Sequence, residues 1–97
     1  MTRIRLLPEA QEELRAAARF YESLQPGLGL ALLQEVRRAK QRIAERPKAS
    51  RVERGDIRVQ SILRFPYRLY YRGGPDEIVI VAVGHRRRRP GFWRNRT

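Results

Sequence analysis

Residues 78–84 read IVIVAVG and lead directly into residues 85–96, which read HRRRRPGFWRNR. A continuous apolar run of this length predicts a strand that is buried on both faces and therefore lies centrally in a sheet. No acidic residue follows Glu77. The strand thus delivers one histidine, six arginines and two aromatic side chains to one edge of the domain. Such a set suits phosphate contacts and base stacking, although a solvated basic tail would have the same composition.

The hydrophobic period of the preceding residues predicts the other elements. Residues 3–6 alternate like a short strand, and Pro8 then suits the first turn of a helix. Apolar residues at three- and four-residue spacing predict one helix over 8–24 and a second from the break at Pro26 to the end at Arg46. After a polar loop at residues 48–55, the period changes to two over 57–63. Residues 65–72 are rich in strand formers, and a turn at 73–76 precedes the last strand.

The predicted element order is therefore β-α-α-β-β-β. A hairpin of two helices returns the chain to the end that it left, so the last strand should run antiparallel to the first and pair with it. The predicted architecture is a single α+β domain over residues 1–97. It has an antiparallel four-stranded sheet in the order 1-4-3-2, packed against an α-helical hairpin.

Charge is the strongest feature of the composition. The 97 residues carry a formal net charge of +12. Residues 25–55 contribute +5 and residues 78–97 contribute +6, which implies a polyanionic partner, either nucleic acid or an acidic protein. The chain has no cysteine and one histidine, so no metal site or cofactor is predicted. It also lacks a signal peptide and the roughly 20 apolar residues of a membrane span, which favours the cytoplasm.

Several strings, taken together and in this order, carry a family resemblance. Residues 64–72 read RFPYRLYYR, the apolar strand follows, and residues 85–88 read HRRR with Trp93 behind them. Pro26-Gly27 and residues 45–47, ERP, add support. Over essentially its whole length the chain resembles the RelE/ParE family of toxins from bacterial type II toxin–antitoxin modules. The resemblance implies the toxin fold and a small acidic antitoxin as partner.

The family contains two mechanisms. RelE-like members are ribosome-dependent endoribonucleases that cut messenger RNA, whereas ParE-like members poison DNA gyrase. The resemblance to the RNA-cleaving members implies that Arg68 and Arg86 match the arginines of the third and fourth strands. His85 would then be the group that moves a proton, and Phe92 or Trp93 falls where an aromatic side chain stacks on a base.

The lysines of the RNA-cleaving members have no counterpart here. Residues 57–63 read IRVQSIL, with Arg58 as the only cation. Arginine is a poor general base near neutral pH, so a metal-independent endoribonuclease mechanism would depend on His85. The missing lysines favour a gyrase poison. A ribosome-dependent ribonuclease and an inactive antitoxin-binding module remain alternatives. A role in binding the target or nucleic acid is predicted for Arg58, Arg64, Arg87, Arg88, Arg89, Phe92 and Trp93.

Overall fold

Two helices and five strands form the described part of the chain, residues 2–74 and 76–96 of a computed structural model. In chain order they are β1 (Arg3–Leu6), α1 (Pro8–Leu24), α2 (Leu28–Glu45), β2 (Val52–Arg54), β3 (Ile57–Ser61), β4 (Tyr67–Gly73) and β5 (Glu77–His85). The strands form one sheet in the order β1-β5-β4-β3-β2. The predicted α+β class is confirmed, and within these residues neither helix is long and apolar enough to cross a bilayer.

The helix hairpin is closed by a contact between the two helices. Pro8 occupies the start of α1, where its missing N–H costs nothing, and the helix spans the predicted residues. Gly27 precedes α2 with a φ of 94°, a left-handed conformation that favours glycine. The Glu22 carboxylate accepts hydrogen bonds from the backbone N–H groups of Gly27 at 3.1 Å and Gly29 at 3.0 Å. The last turn of α1 thus satisfies two of the backbone donors at the start of α2.

Strand β5 is covered on both faces, as its apolar run predicts. One core lies between the sheet and the helices and includes Leu32, Ile43, Leu69 and Ile80. The second core lies on the opposite face, where the C-terminal residues return over the sheet. It contains Val59, Tyr70, Val79, Val81 and Trp93, with Phe92 packed against it.

The predicted sheet is wrong in two details that share one cause. Residues 52–54 were predicted to lie in a loop, but they form β2, which pairs with β3 through the two-residue turn Gly55-Asp56. This additional strand reverses the chain once more before β3. Every later strand consequently runs opposite to the expected direction, and β1 pairs with β5 in parallel rather than antiparallel.

Gly84 is the position at which the C-terminal segment packs most closely on the sheet. A Cβ atom at this glycine would collide with the Phe92 ring, of which a second atom would lie 3.0 Å away. We expect Gly84→Ala to lower the free energy of unfolding by about 1–3 kcal/mol, because the ring has to move out of a packed position. Urea unfolding followed by the fluorescence of Trp93 measures the change. Gly74→Ala is the control, since its Cβ would meet nothing within 4 Å; equal midpoints for the two variants would contradict the packing argument.

Candidate partner-binding edge

The end of β5 and the beginning of β4 meet at one end of the sheet. Tyr67 is paired with His85 and Arg68 with Gly84, and the Arg86 backbone N–H donates to the Pro66 carbonyl at 2.8 Å. Side chains alternate between the two faces of a strand, so His85 and Arg68 point to opposite faces. This end of the sheet therefore carries two surfaces, and Tyr67 lines both of them.

The first surface is an arginine cleft formed by Arg64, Arg68 and Arg86 around Phe65 and Pro66. Two adjoining cavities of about 140 and 450 Å³ open between these residues. Arg64 has a φ of 72°, a strained conformation for a residue with a side chain, and its guanidinium lies 5.7 Å from the centroid of the Phe65 ring. Across residues 2–74 and 76–96, no carboxylate pairs with any of the three guanidinium groups. The cleft is strongly positive and open to an anionic partner.

The second surface is a groove of about 260 Å³ that His85 lines together with Tyr67, Phe20, Glu13 and Arg88. The His85 Nδ1 accepts the backbone N–H of Arg87 at 3.0 Å, and the ring makes an edge contact with Tyr67 at 5.4 Å between centroids. A backbone N–H can only donate, so the neutral imidazole carries its proton on Nε2. Nδ1, the ring nitrogen that could accept a proton in this tautomer, is therefore already engaged in the hydrogen bond with Arg87.

Tyr67 supplies a proton donor rather than an acceptor to this groove. Its burial, and to a lesser extent the neighbouring Tyr21, raises the pKa of the Tyr67 hydroxyl. A tyrosine hydroxyl is already protonated at neutral pH, and the raised pKa makes its ionised form still less accessible. The three predicted catalytic residues are not gathered into one site, because His85 lines this groove whereas Arg68 and Arg86 line the arginine cleft.

An ion pair that the sequence analysis missed fixes the C-terminal segment. Both terminal nitrogens of Arg96 donate to the Glu13 carboxylate at 2.8 Å, and Arg96 also donates to the Val81 carbonyl at 3.0 Å. The Glu13 carboxylate accepts the Val83 N–H at 3.1 Å as well. Strand β1 pairs only with residues 77–80 of β5, so these bonds satisfy backbone groups along the edge that β1 leaves open. The hydrogen bonds that Arg96 donates to Glu13 raise the pKa of Arg96 despite its burial.

Some of the remaining predicted binding residues make contacts within the fold, whereas others are exposed to solvent. Arg58 donates to the carbonyls of Lys48 at 3.1 Å and Ser50 at 2.7 Å, which holds the loop before β2. Arg88 lies 4.1 Å from the centre of the Phe92 ring and 3.6 Å from Glu13. Phe92 is partly buried and Trp93 is only 7% exposed, so in this conformation both rings pack on the sheet. The side chains of Arg87 and Arg89 are exposed.

Comparisons with known proteins agree with this fold. Residues 4–90 match the sequence model of the family described as "ParE toxin of type II toxin-antitoxin system, parDE". A solved structure described as "Chromosomal ParDE TA system from P. aeruginosa" superposes with a TM-score of 0.74 at 21% identity, over 88% of this chain and 96% of that one. No curated protein matches by sequence.

The small α+β domain with a basic edge is a toxin of a type II toxin–antitoxin system. Since the family match spans most of its length, the chain belongs to the ParE toxin family. Membership implies an antitoxin as its partner.

Glu13 and Glu12 are adjacent carboxylates in very different surroundings, and their comparison tests the ion pair. The Glu13 side chain is 18% exposed and its partner Arg96 15%, whereas Glu12 is 64% exposed and pairs with Arg19. We expect Glu13→Gln to cost about 2–3 kcal/mol, because it leaves a partly buried arginine without its counter-charge. Glu12→Gln should change stability by less than about 1 kcal/mol. Thermal and urea unfolding measure both; similar losses would show that the Glu13 pair does not hold the C-terminal segment.

Proposed function

We propose that this ParE-family toxin arrests growth by poisoning DNA gyrase, and that the arginine cleft contacts the target. The supporting observation is the set of three guanidinium groups, Arg64, Arg68 and Arg86, without a carboxylate partner among the described residues. Guanidinium groups bind anions through fixed forks of donors, but they do not exchange protons near neutral pH. The cleft is therefore suited to binding an anionic partner rather than to cleaving a phosphodiester bond.

The position of His85 supports the same proposal. Cleavage of RNA requires a group that withdraws the 2′-hydroxyl proton close to cations that stabilise the transition state. His85 lies on the opposite face from Arg68, and its Nδ1 is engaged by Arg87. Its role in this proposal is structural, as a cap at the end of β5.

An acidic antitoxin fits the rest of the surface. Four large apolar side chains are exposed around the turn of the helix hairpin: Phe20, Leu24, Leu30 and Leu33. Exposed apolar groups of this kind are typical of surfaces that a partner covers. The net charge of +12 favours a negatively charged partner. In this proposal the antitoxin covers both the apolar turn and the arginine cleft.

A supercoiling assay tests the gyrase proposal. Purified toxin, gyrase, ATP and relaxed plasmid should yield less supercoiled product as the toxin concentration rises. The variant Arg68→Gln/Arg86→Gln should need about tenfold or more toxin for the same inhibition, because two charged contacts are removed. Arg15→Gln/Arg19→Gln, two exposed arginines of α1, provides the control with the same loss of charge. Unchanged supercoiling at a large excess of wild-type toxin would refute gyrase as the target.

His85→Asn separates a structural role from a catalytic one. Asparagine places an acceptor oxygen where it can bond the N–H two residues on, and it cannot act as a general base. We expect the variant to retain growth arrest and to lose less than about 1 kcal/mol of stability, since the cap is preserved. Ribosomes programmed with a defined message provide the second measurement. Cleavage of that message by the wild type, abolished in His85→Asn, would establish the ribonuclease instead.

A further inference from the structure

A further cavity lies on the face of the sheet opposite the helices, between the sheet and the C-terminal segment. This tail groove has a volume of about 530 Å³. Its apolar lining is Ile57, Val81 and Trp93, and its charged lining is Arg72, Arg94, Arg96 and Asp56. None of these residues lines the arginine cleft. The tail groove is therefore a separate surface.

Several donors of the tail groove have no acceptor. The Arg72 guanidinium has no hydrogen-bond or ion-pair partner among residues 2–74 and 76–96, and Arg94 makes only a long bond from Nε to the Gly91 carbonyl at 3.4 Å. The indole N–H of Trp93 is buried and equally without an acceptor in the described part of the chain. Only the indole N–H is buried, and a buried donor without an acceptor is costly and therefore rare. Arg72 is half-buried and Arg94 is exposed, so their donors are accessible to a ligand.

The segment that forms one side of the tail groove turns sharply and is anchored at its C-terminal end. Gly91 and Asn95 have φ values of 77° and 70°, and the Arg94 N–H donates to the Gly91 carbonyl at 3.0 Å. Asn95 thus adopts a left-handed conformation that costs energy unless its surroundings impose it. Arg96, which follows, is anchored on Glu13 and also lines the groove. The donors are consequently presented by a fixed backbone, which reduces the entropy that binding would cost.

We propose that the tail groove binds a carboxylate side chain from an acidic segment of a partner protein. Arg72 and Arg94 supply guanidinium donors, the group that pairs best with a planar carboxylate, and the apolar lining suits a neighbouring apolar side chain of the same segment. A nucleic acid fits less well, because base stacking needs a free ring. Trp93 is buried, and the Phe92 ring is already flanked by Arg88, Arg96 and Tyr70. Asp56 is exposed, and its negative charge offsets the positive charge of the arginines, so it lowers the affinity of the groove for a carboxylate.

The single tryptophan of the chain gives this site its own signal. The full-length toxin, labelled with ¹⁵N, is titrated with a blocked synthetic peptide of alternating glutamate and leucine, and the indole N–H resonance of Trp93 is followed. We expect a saturable shift of that resonance. Arg72→Gln/Arg94→Gln should weaken binding about tenfold or more, and Asp56→Asn should strengthen it severalfold, since the two changes move the local charge in opposite directions. Loss of folding cannot produce effects of opposite sign.

Arg15→Gln/Arg19→Gln is again the control, and its affinity for the peptide should equal that of the wild type. Equal affinities for all variants, or no shift of the indole resonance, would overturn the proposal. A shift caused by a single-stranded oligodeoxynucleotide but not by the peptide would overturn it too, and would assign the groove to nucleic acid. The titration contains only toxin and probe, so its outcome is independent of whether gyrase is the target.

Discussion

The burial of strand β5 on both faces is the constraint on which the rest of this domain depends. Each fully buried valine or isoleucine contributes about 1.5–3 kcal/mol, and the residues from Ile78 to Val83 are all buried. The helix hairpin covers one face, and the C-terminal segment covers the other with Phe92 and Trp93. Strand β1 satisfies only the first half of the edge, and the Glu13–Arg96 pair completes the rest. A short chain without disulfides thereby closes its core with a segment that looks, by composition, like a basic tail.

This structural use of the C-terminal segment decides which charges are left for partners. Arg88 and Arg96 pack on Phe92 and pair with Glu13, and Arg58 holds a loop, so these three cations belong to the fold. Among the arginines that line a cavity without a carboxylate partner in the described residues, Arg64, Arg68 and Arg86 lie in the cleft, and Arg72 and Arg94 lie in the tail groove. These two positively charged surfaces are where the proposed contacts with acidic partners would form.

Most of the fold was predictable because each element carries its own periodic signal. The helix Pro8–Leu24 and the central strand follow directly from apolar spacing and from Pro8. The exception is β2, three mostly exposed residues without an apolar period. Its signal was the Gly55-Asp56 dipeptide, a pair typical of two-residue hairpin turns. Because this hairpin was not predicted, β5 was expected to run antiparallel to β1. Each hairpin reverses the direction of the chain, so one missed hairpin changes the direction of every later strand.

The sequence by itself determined the class, the central strand and the concentration of positive charge beyond residue 78, since these depend on composition and local spacing, and its resemblance to known toxins indicated the family. Only the tertiary structure decided what that charge does. Glu13 and Arg96 are 83 residues apart, and no local pattern connects them. The register between β4 and β5 placed His85 opposite Tyr67 and Arg68 opposite Gly84, which separated the predicted catalytic residues onto two faces. An arginine with carboxylates or aromatic rings within a few ångströms makes contacts within the fold, and one without them is left to bind a partner. Packing, rather than position along the chain, determines which of these neighbours are present.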